Sequence, residues 1–169
     1  MNNEINARLF RHMGWANQAV LRLLRDLPDS TLQLSAWNAD NWTVGKIMHH
    51  IVIAEGRLIA RINNESAPIE SETPVSAIQL DDLIKLSADF DIEFSRVINS
   101  PEQTHYFNRY GKDMHAFTST ILAQAIHHAA EHRAQIADIL AVNNLDVLNL
   151  DKIDLWSFER FELRQSEQN

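Results

Sequence analysis

The chain has 169 residues, 15 Lys and Arg against 23 Asp and Glu, and a formal net charge of −8. That length suits one domain with a single core, and the acidic balance argues against a duplex nucleic-acid partner, whose phosphates need a basic face. With four Gly, four Pro and no Cys, helices are favoured, and disulfides, thiolate ligands and a cysteine nucleophile are excluded together.

The N-terminus, Met1-Asn2-Asn3-Glu4-Ile5-Asn6, is polar and acidic, unlike a signal or transit peptide. No apolar run has the length needed to span a bilayer, so no membrane partner and a cytoplasmic location are expected. Helical periodicity then predicts four long segments. The first runs from about residue 3 to 27, with Leu9, Met13, Ala16, Val20, Leu23, Leu24 and Leu27 on one stripe, and Pro28 ends it. The second starts at about Thr43, a suitable N-cap, and runs to about Asn63 with Val44, Ile47, Met48, Ile51, Ala54, Leu58 and Ile62 on its stripe. The third spans about 79 to 98, with Leu80, Leu83, Ile84, Phe90 and Phe94 apolar. The fourth spans about 118 to 143, capped by Thr118 or Ser119.

Between the second and third lies a crossover, 64 to 78, long enough for both helices to run in the same direction. Residues 99 to 117, with Gly111, read as irregular. The aromatic stretch Asp154-Leu155-Trp156-Ser157-Phe158 is expected to pack on the helices. Residues 1–163 read as one domain and 164–169 as a disordered tail.

Histidine spacing carries the chemistry. His128 and His132 stand at i,i+4 in a stretch free of Pro and Gly, which stacks both imidazoles on one helix face. Taking Ala129 as the centre of the apolar stripe, His128 and His132 fall at about −100° and −60°, whereas His127 faces away at about 160°. On the second helix, centred on Ile51, His49 lies at about 160° and His50 at about −100°. His50, His128 and His132 therefore border the apolar faces of two helices that could meet. Three imidazoles with an open position suit a catalytic rather than a structural metal. A His bordering a buried face is also commonly a hydrogen-bonded packing residue, so a purely structural role for the trio stays open here.

His12, His49, His115 and His127 read as solvated, and His105, in an irregular Glu102-Gln103-Thr104-His105, as no ligand. Glu131 precedes His132 rather than following His128, so the zincin pattern fails, and the ferritin-like pattern lacks its helical Glu-x-x-His pairs. Arg133 falls inside the apolar stripe at about +40° and needs a partner, for which Glu55 and Asp154 are candidates. Gln135 lies near the His flank and could support it by hydrogen bonding. Gln135, Arg133 and Glu55 are thus the candidate supporting residues, and no catalytic side chain is assigned.

Several of these segments together resemble the DinB/YfiT-like family of metal-dependent proteins, over nearly the whole chain. Phe10-Arg11-His12-Met13-Gly14-Trp15-Ala16-Asn17 resembles its opening helix, and Asn41-Trp42-Thr43 through His50 to Glu55 its second-helix motif. His128-Ala129-Ala130-Glu131-His132-Arg133-Ala134-Gln135-Ile136 is similar to its His-x-x-x-His-Arg-x-Gln-Ile segment, with Ala134 where Gly is frequent. Asp154-Leu155-Trp156-Ser157-Phe158 is similar to its Asp-aromatic tail. The resemblance implies an all-α, up-down-down-up four-helix bundle, a homodimer, and one divalent ion, zinc or nickel, held by His50, His128 and His132. It further implies a small-molecule substrate with a low-molecular-weight thiol, as in S-transferases and isomerases of the family. A metal-dependent enzyme is the first reading, because an ion with an open position lowers the pKa of a bound water or thiol, and with the resemblance its type is expected to be transferase or hydrolase. The alternative is a non-catalytic, stress-related binding module that keeps the fold and the metal.

Overall fold

The computed structural model describes residues 3–36, 41–67 and 76–167. The chain is mostly helical. Four long helices are present: α1 (Asn3–Arg25), α3 (Val44–Asn63), α4 (Ala77–Val97) and α5 (Thr118–Val142). A short α2 (Asp29–Leu32) follows α1, and an antiparallel hairpin of β1 (Thr104–Arg109) and β2 (Lys112–Phe117) precedes α5. A 3-10 turn (Leu150–Lys152) leads into α6 (Leu155–Ser166).

Each long helix buries the stripe that its periodicity marks out. Met13, Ala16, Val20 and Leu24 of α1, Ile47, Met48 and Ile51 of α3, Leu80, Leu83 and Phe94 of α4, and Ala125, Ala129, Ile136 and Leu140 of α5 are all buried. Burying such a side chain contributes roughly 1.5–3 kcal/mol, so this shared interior is what holds the helices together. α1 packs against α4 and α5, and α3 packs against the same two, so the four helices surround one core. Leu9, Leu23, Leu27, Ala54, Ile84 and Phe90, assigned to the apolar faces from sequence, are only half-buried, whereas Phe10 is buried with its ring 4.8 Å from that of Phe94. α1 is covered by α4 and α6 as well as by α5, so its buried arc is wider than a single stripe.

The helix ends follow local chemistry. α1 stops at Arg25, short of Leu27, ahead of the turn into Pro28. Thr43 caps α3, its Oγ1 accepting from the Lys46 amide at 3.3 Å. At α5 the expected cap by Thr118 or Ser119 is not what forms. Phe117 holds the N-cap position without a side-chain bond, and the Glu102 carboxylate accepts from the Ser119 amide at 2.9 Å and from Ser119 Oγ at 2.6 Å. A carboxylate there also complements the positive end of the helix dipole.

The stretch 99–117, read as irregular, is mostly a β-hairpin. Its two-residue turn, Tyr110-Gly111, has φ of 54° and 76°, the arrangement whose twist matches that of paired strands. Asn108 closes the turn by accepting from the Gly111 amide at 3.0 Å and donating to Asp113 at 3.0 Å. His105 is buried at 3 % exposure and hydrogen bonds to Thr118 Oγ1 at 2.9 Å, which ties β1 to the start of α5.

The aromatic tail does pack on the helices. Trp15 of α1 meets Phe158 and Phe161 at 5.4 and 5.6 Å between ring centroids. His12, expected to be solvated, is half-buried there, its Nε2 2.9 Å from the Ile153 carbonyl and its ring edge against Phe158. α6 continues through Ser166, three residues into the segment read as disordered, while 168 and 169 lie outside the described residues. The crossover read at 64–78 also lies largely outside them. Among the described residues no helix is long and apolar enough to cross a membrane.

Candidate metal centre

α3 and α5 pack directly on each other and bring the flanks of their stripes together. His50 from α3 and His128 and His132 from α5 meet there, all half-buried. His128 Nε2 lies 3.0 Å from His50 Nε2 and 3.1 Å from His132 Nε2, and one ring nitrogen from each His lies within 4.8 Å of the others. These three residues could hold a metal ion. His49 and His115 lie outside the cluster, as do the exposed His127 and the buried His105.

Proton bookkeeping favours a shared ion over mutual hydrogen bonding. Trp42 Nε1, which can only donate, points at Gln135 Oε1 at 3.2 Å, and that fixes the amide oxygen on this side. The same oxygen lies 2.8 Å from His132 Nδ1, so Nδ1 carries the hydrogen and Nε2 is left with a bare lone pair. A ligating His is commonly held in this way by its second nitrogen. His128 Nε2 carries either one hydrogen or one lone pair, so it can serve only one of its two ring-nitrogen neighbours by hydrogen bonding. A tetrahedral ion with metal–nitrogen bonds of about 2.0–2.1 Å would set its ligand nitrogens about 3.3 Å apart, a few tenths of an ångström beyond the spacing found.

Local sequence explains the placement. The Val44 amide donates to the Leu34 carbonyl at 2.9 Å and Ser35 bridges to Thr43, which pins the start of α3. Trp42, immediately before that start, lays its ring 5.2 Å from His50 and 5.6 Å from His132, covering one side of the cluster. Of the candidate supporting residues, Gln135 therefore touches a ligand candidate. Arg133 and Glu55 do not act there. Arg133, 6 % exposed, donates to Asn17 Oδ1 at 2.5 Å, and Asn17 Nδ2 donates to Glu55 Oε1 at 2.6 Å. A guanidinium only donates, so Asn17 must turn its oxygen toward Arg133 and its NH2 toward Glu55. Of the two partners considered for Arg133, Glu55 is the one reached, through Asn17, while Asp154 caps α6 by accepting from the Ser157 amide.

Burial shifts this second cluster. The Glu55 carboxyl is pushed well above its usual range by burial and by the nearby Asp91, against which Arg133 and Asn17 act. Burial alone lifts Asp91 to about 7, and burial lowers Arg133 to about 10 against the opposing charge of Glu55. Glu55 Oε2 and Asp91 Oδ1 are buried without a hydrogen-bond partner among the described residues. Asp91 also explains Gly14, because a Cβ there would stand 2.2 Å from the Asp91 carboxylate.

The three imidazoles open into a groove of about 610 Å³ lined also by Arg57, Arg61, Asn108, Arg109, Tyr110 and Gln124. The cationic wall was not anticipated from sequence. Its signal was present: Arg57 and Arg61 follow His50 at i+7 and i+11, which returns both to the His50 flank of the helix. Arg109 and Tyr110 arrive on the hairpin that the sequence left irregular.

Comparison with known proteins bears on the family and the fold. The family model of the DinB family matches residues 1–141. A crystal structure of a DinB-like protein from Bacillus cereus ATCC 10987 is similar in fold, with a TM-score of 0.63 and 21 % identity over 82 % of this chain and 91 % of that one. No curated protein matches the chain. With the family match covering most of its length, the chain belongs to the DinB family.

Proposed function

We propose that the protein is a metal-dependent enzyme of thiol S-transferase or hydrolase type, with zinc or nickel held by Nε2 of His50, His128 and His132. The observation that carries this reading is the convergence of three Nε2 atoms at 3.0 and 3.1 Å, one of them with its proton fixed on the far nitrogen by Gln135. An ion held by three neutral ligands keeps its full charge and an open position, and so acidifies a water or thiol bound beside it. The chain's own residues do the rest. Gln135 and Trp42 hold His132 in one tautomer and shield one side, while the groove on the other side admits a small molecule. With no Cys in the chain, a thiol would have to come with the co-substrate.

The packing of α1, α3, α4 and α5 around one core supports an up-down-down-up four-helix bundle. A homodimer is proposed with it. Ile5, Leu155 and Trp156 line one exposed hollow, with Trp156 70 % exposed, a costly surface to leave in water. A cytoplasmic location fits the lack of Cys and of a spanning helix among the described residues.

Cobalt substitution tests the chemistry, because its visible spectrum reports ligand type. Adding 2-mercaptoethanol should produce a sulfur-to-cobalt charge-transfer band that no protein residue can supply, and His128→Ala should lack it. If the spectrum is untouched while an ester or amide is cleaved, hydrolysis replaces S-transfer. If neither occurs with thiols or esters, the non-catalytic binding module becomes the better reading.

A further inference from the structure

The groove beside the three histidines reverses the sign of the protein. The chain carries a net charge of −8, yet three arginines, Arg57, Arg61 and Arg109, line this one cavity. Elsewhere Arg8, Arg11, Arg25 and Arg96 each meet a carboxylate. Arg61 and Arg109 meet aromatic rings instead: the Arg61 guanidinium lies 4.5 Å from the Phe107 ring centroid and that of Arg109 5.2 Å from Tyr110. Stacking holds a guanidinium by its face and leaves its N–H edge to donate to an oxyanion. Like charge is concentrated as well, since Arg61 is lowered by burial and then by the fields of Arg109 and Arg57. Asn108 and Gln124 add amide groups to the same walls.

We propose that this groove binds an anionic group, carboxylate or phosphate, of the small molecule that reacts at the three-His centre, with Arg61 and Arg109 donating to it. The substrate is then an organic acid or phosphate ester whose reacting atom lies within one small molecule's length of its anion. The inference rests on the proposed metal centre for the word substrate, though the anion site itself is made by the arginines. Arg61 comes from the same helix flank as His50, and Arg109 is delivered by the hairpin turn, so the hairpin has a recognition role.

The test is a titration of the full-length protein with inorganic phosphate and with succinate, followed by NMR of the arginine Nε–H signals. It is run on zinc-loaded protein and on protein dialysed free of zinc and chelator. At least one anion should shift the Arg61 and Arg109 signals in both forms. Its dissociation constant should rise roughly tenfold in Arg61→Gln and in Arg109→Gln, as for loss of one charge-assisted hydrogen bond. Arg109 is at an exposed turn, so its variant remains informative should Arg61→Gln loosen the hairpin. Whichever anion binds more tightly identifies the substrate's group. Failure of both anions to bind, or equal binding by the double variant R61Q/R109Q, overturns the proposal. Zinc content of the same samples reports separately on the metal centre: anion binding without zinc affinity would sink the metal reading alone.

Discussion

Two polar clusters share the helices α3 and α5, each five residues further along: His50 then Glu55, and His128 then Arg133. Five residues turn a helix by about 140°, which carries one pair to the groove flank and the other into the core. The inner cluster is buried. Arg133, Asn17 and Glu55 form a chain in which donor meets acceptor at each link, with Glu55 Oε2 left without a partner among the described residues. The outer cluster is half-buried beside a groove, and brings three ring nitrogens together at 3.0 and 3.1 Å. Polar groups in a core hold helices in register, whereas convergent ring nitrogens beside a groove call for something from outside.

The largest effect that separates the two clusters should come from a ligand position. His128 Nε2 neighbours both other ring nitrogens, so His128→Ala should weaken zinc binding by about a thousandfold or more, about a third of the roughly 10–16 kcal/mol of a tight zinc site. His127→Ala, on the adjacent exposed residue, should leave zinc binding unchanged. Competition against a chromophoric chelator measures both, and equal loss from the two would erase the distinction between groove flank and surface.

Next is Arg133→Ala, which leaves the buried Asn17 oxygen without its donor and removes the cation nearest Glu55. Denaturant unfolding should show a loss of roughly 1–3 kcal/mol, the usual cost of leaving a buried acceptor unsatisfied, with zinc stoichiometry unchanged. Zinc loss without loss of stability would place Arg133 in the outer cluster.

Asp91 sharpens the inner cluster through pH. Its carboxyl is lifted from 3.8 to about 7 by burial. Between those values the folded chain keeps a proton that the unfolded chain releases, so stability falls as pH rises through that window. Asp91→Asn removes the slope. At pH 8 the variant should be about 2 kcal/mol more stable than the wild type, allowing for partial exposure, and the difference should shrink toward pH 4. An unchanged slope would show that Asp91 is ionised in the fold.

Gln135→Ala should have the smallest effect, about tenfold in zinc affinity, because the ligand remains and only its orientation and tautomer are released. No change would mean that Trp42 alone keeps His132 in place.

Much of this was legible in the sequence because it depends on period. The stripes of α3 and α5 fix which imidazoles face the seam, and the i,i+4 pair needed only the helix to be a helix. What escaped depends on tertiary partners. The β1–β2 hairpin lacks strong alternation, and its turn puts Tyr110 at a φ of 54°, a position more usual for Gly or Asn. His12 was misread because the chain that buries it, around Ile153 and Phe158, is distant in sequence. The cap of α5 was misread for the same reason, Glu102 coming from before the hairpin. Arg133 drew notice as a charge within an apolar stripe, but its link to Glu55 runs through Asn17, on a third helix.

The central claim is that His50, His128 and His132 hold one ion within a single chain. Metal analysis with X-ray absorption, on protein purified without a His tag and loaded with zinc, tests it most directly. We expect one zinc per chain, three imidazole nitrogens at about 2.0–2.1 Å, and water oxygen completing the shell. Less than half an ion per chain, or a shell of oxygens without imidazole scattering, would contradict it.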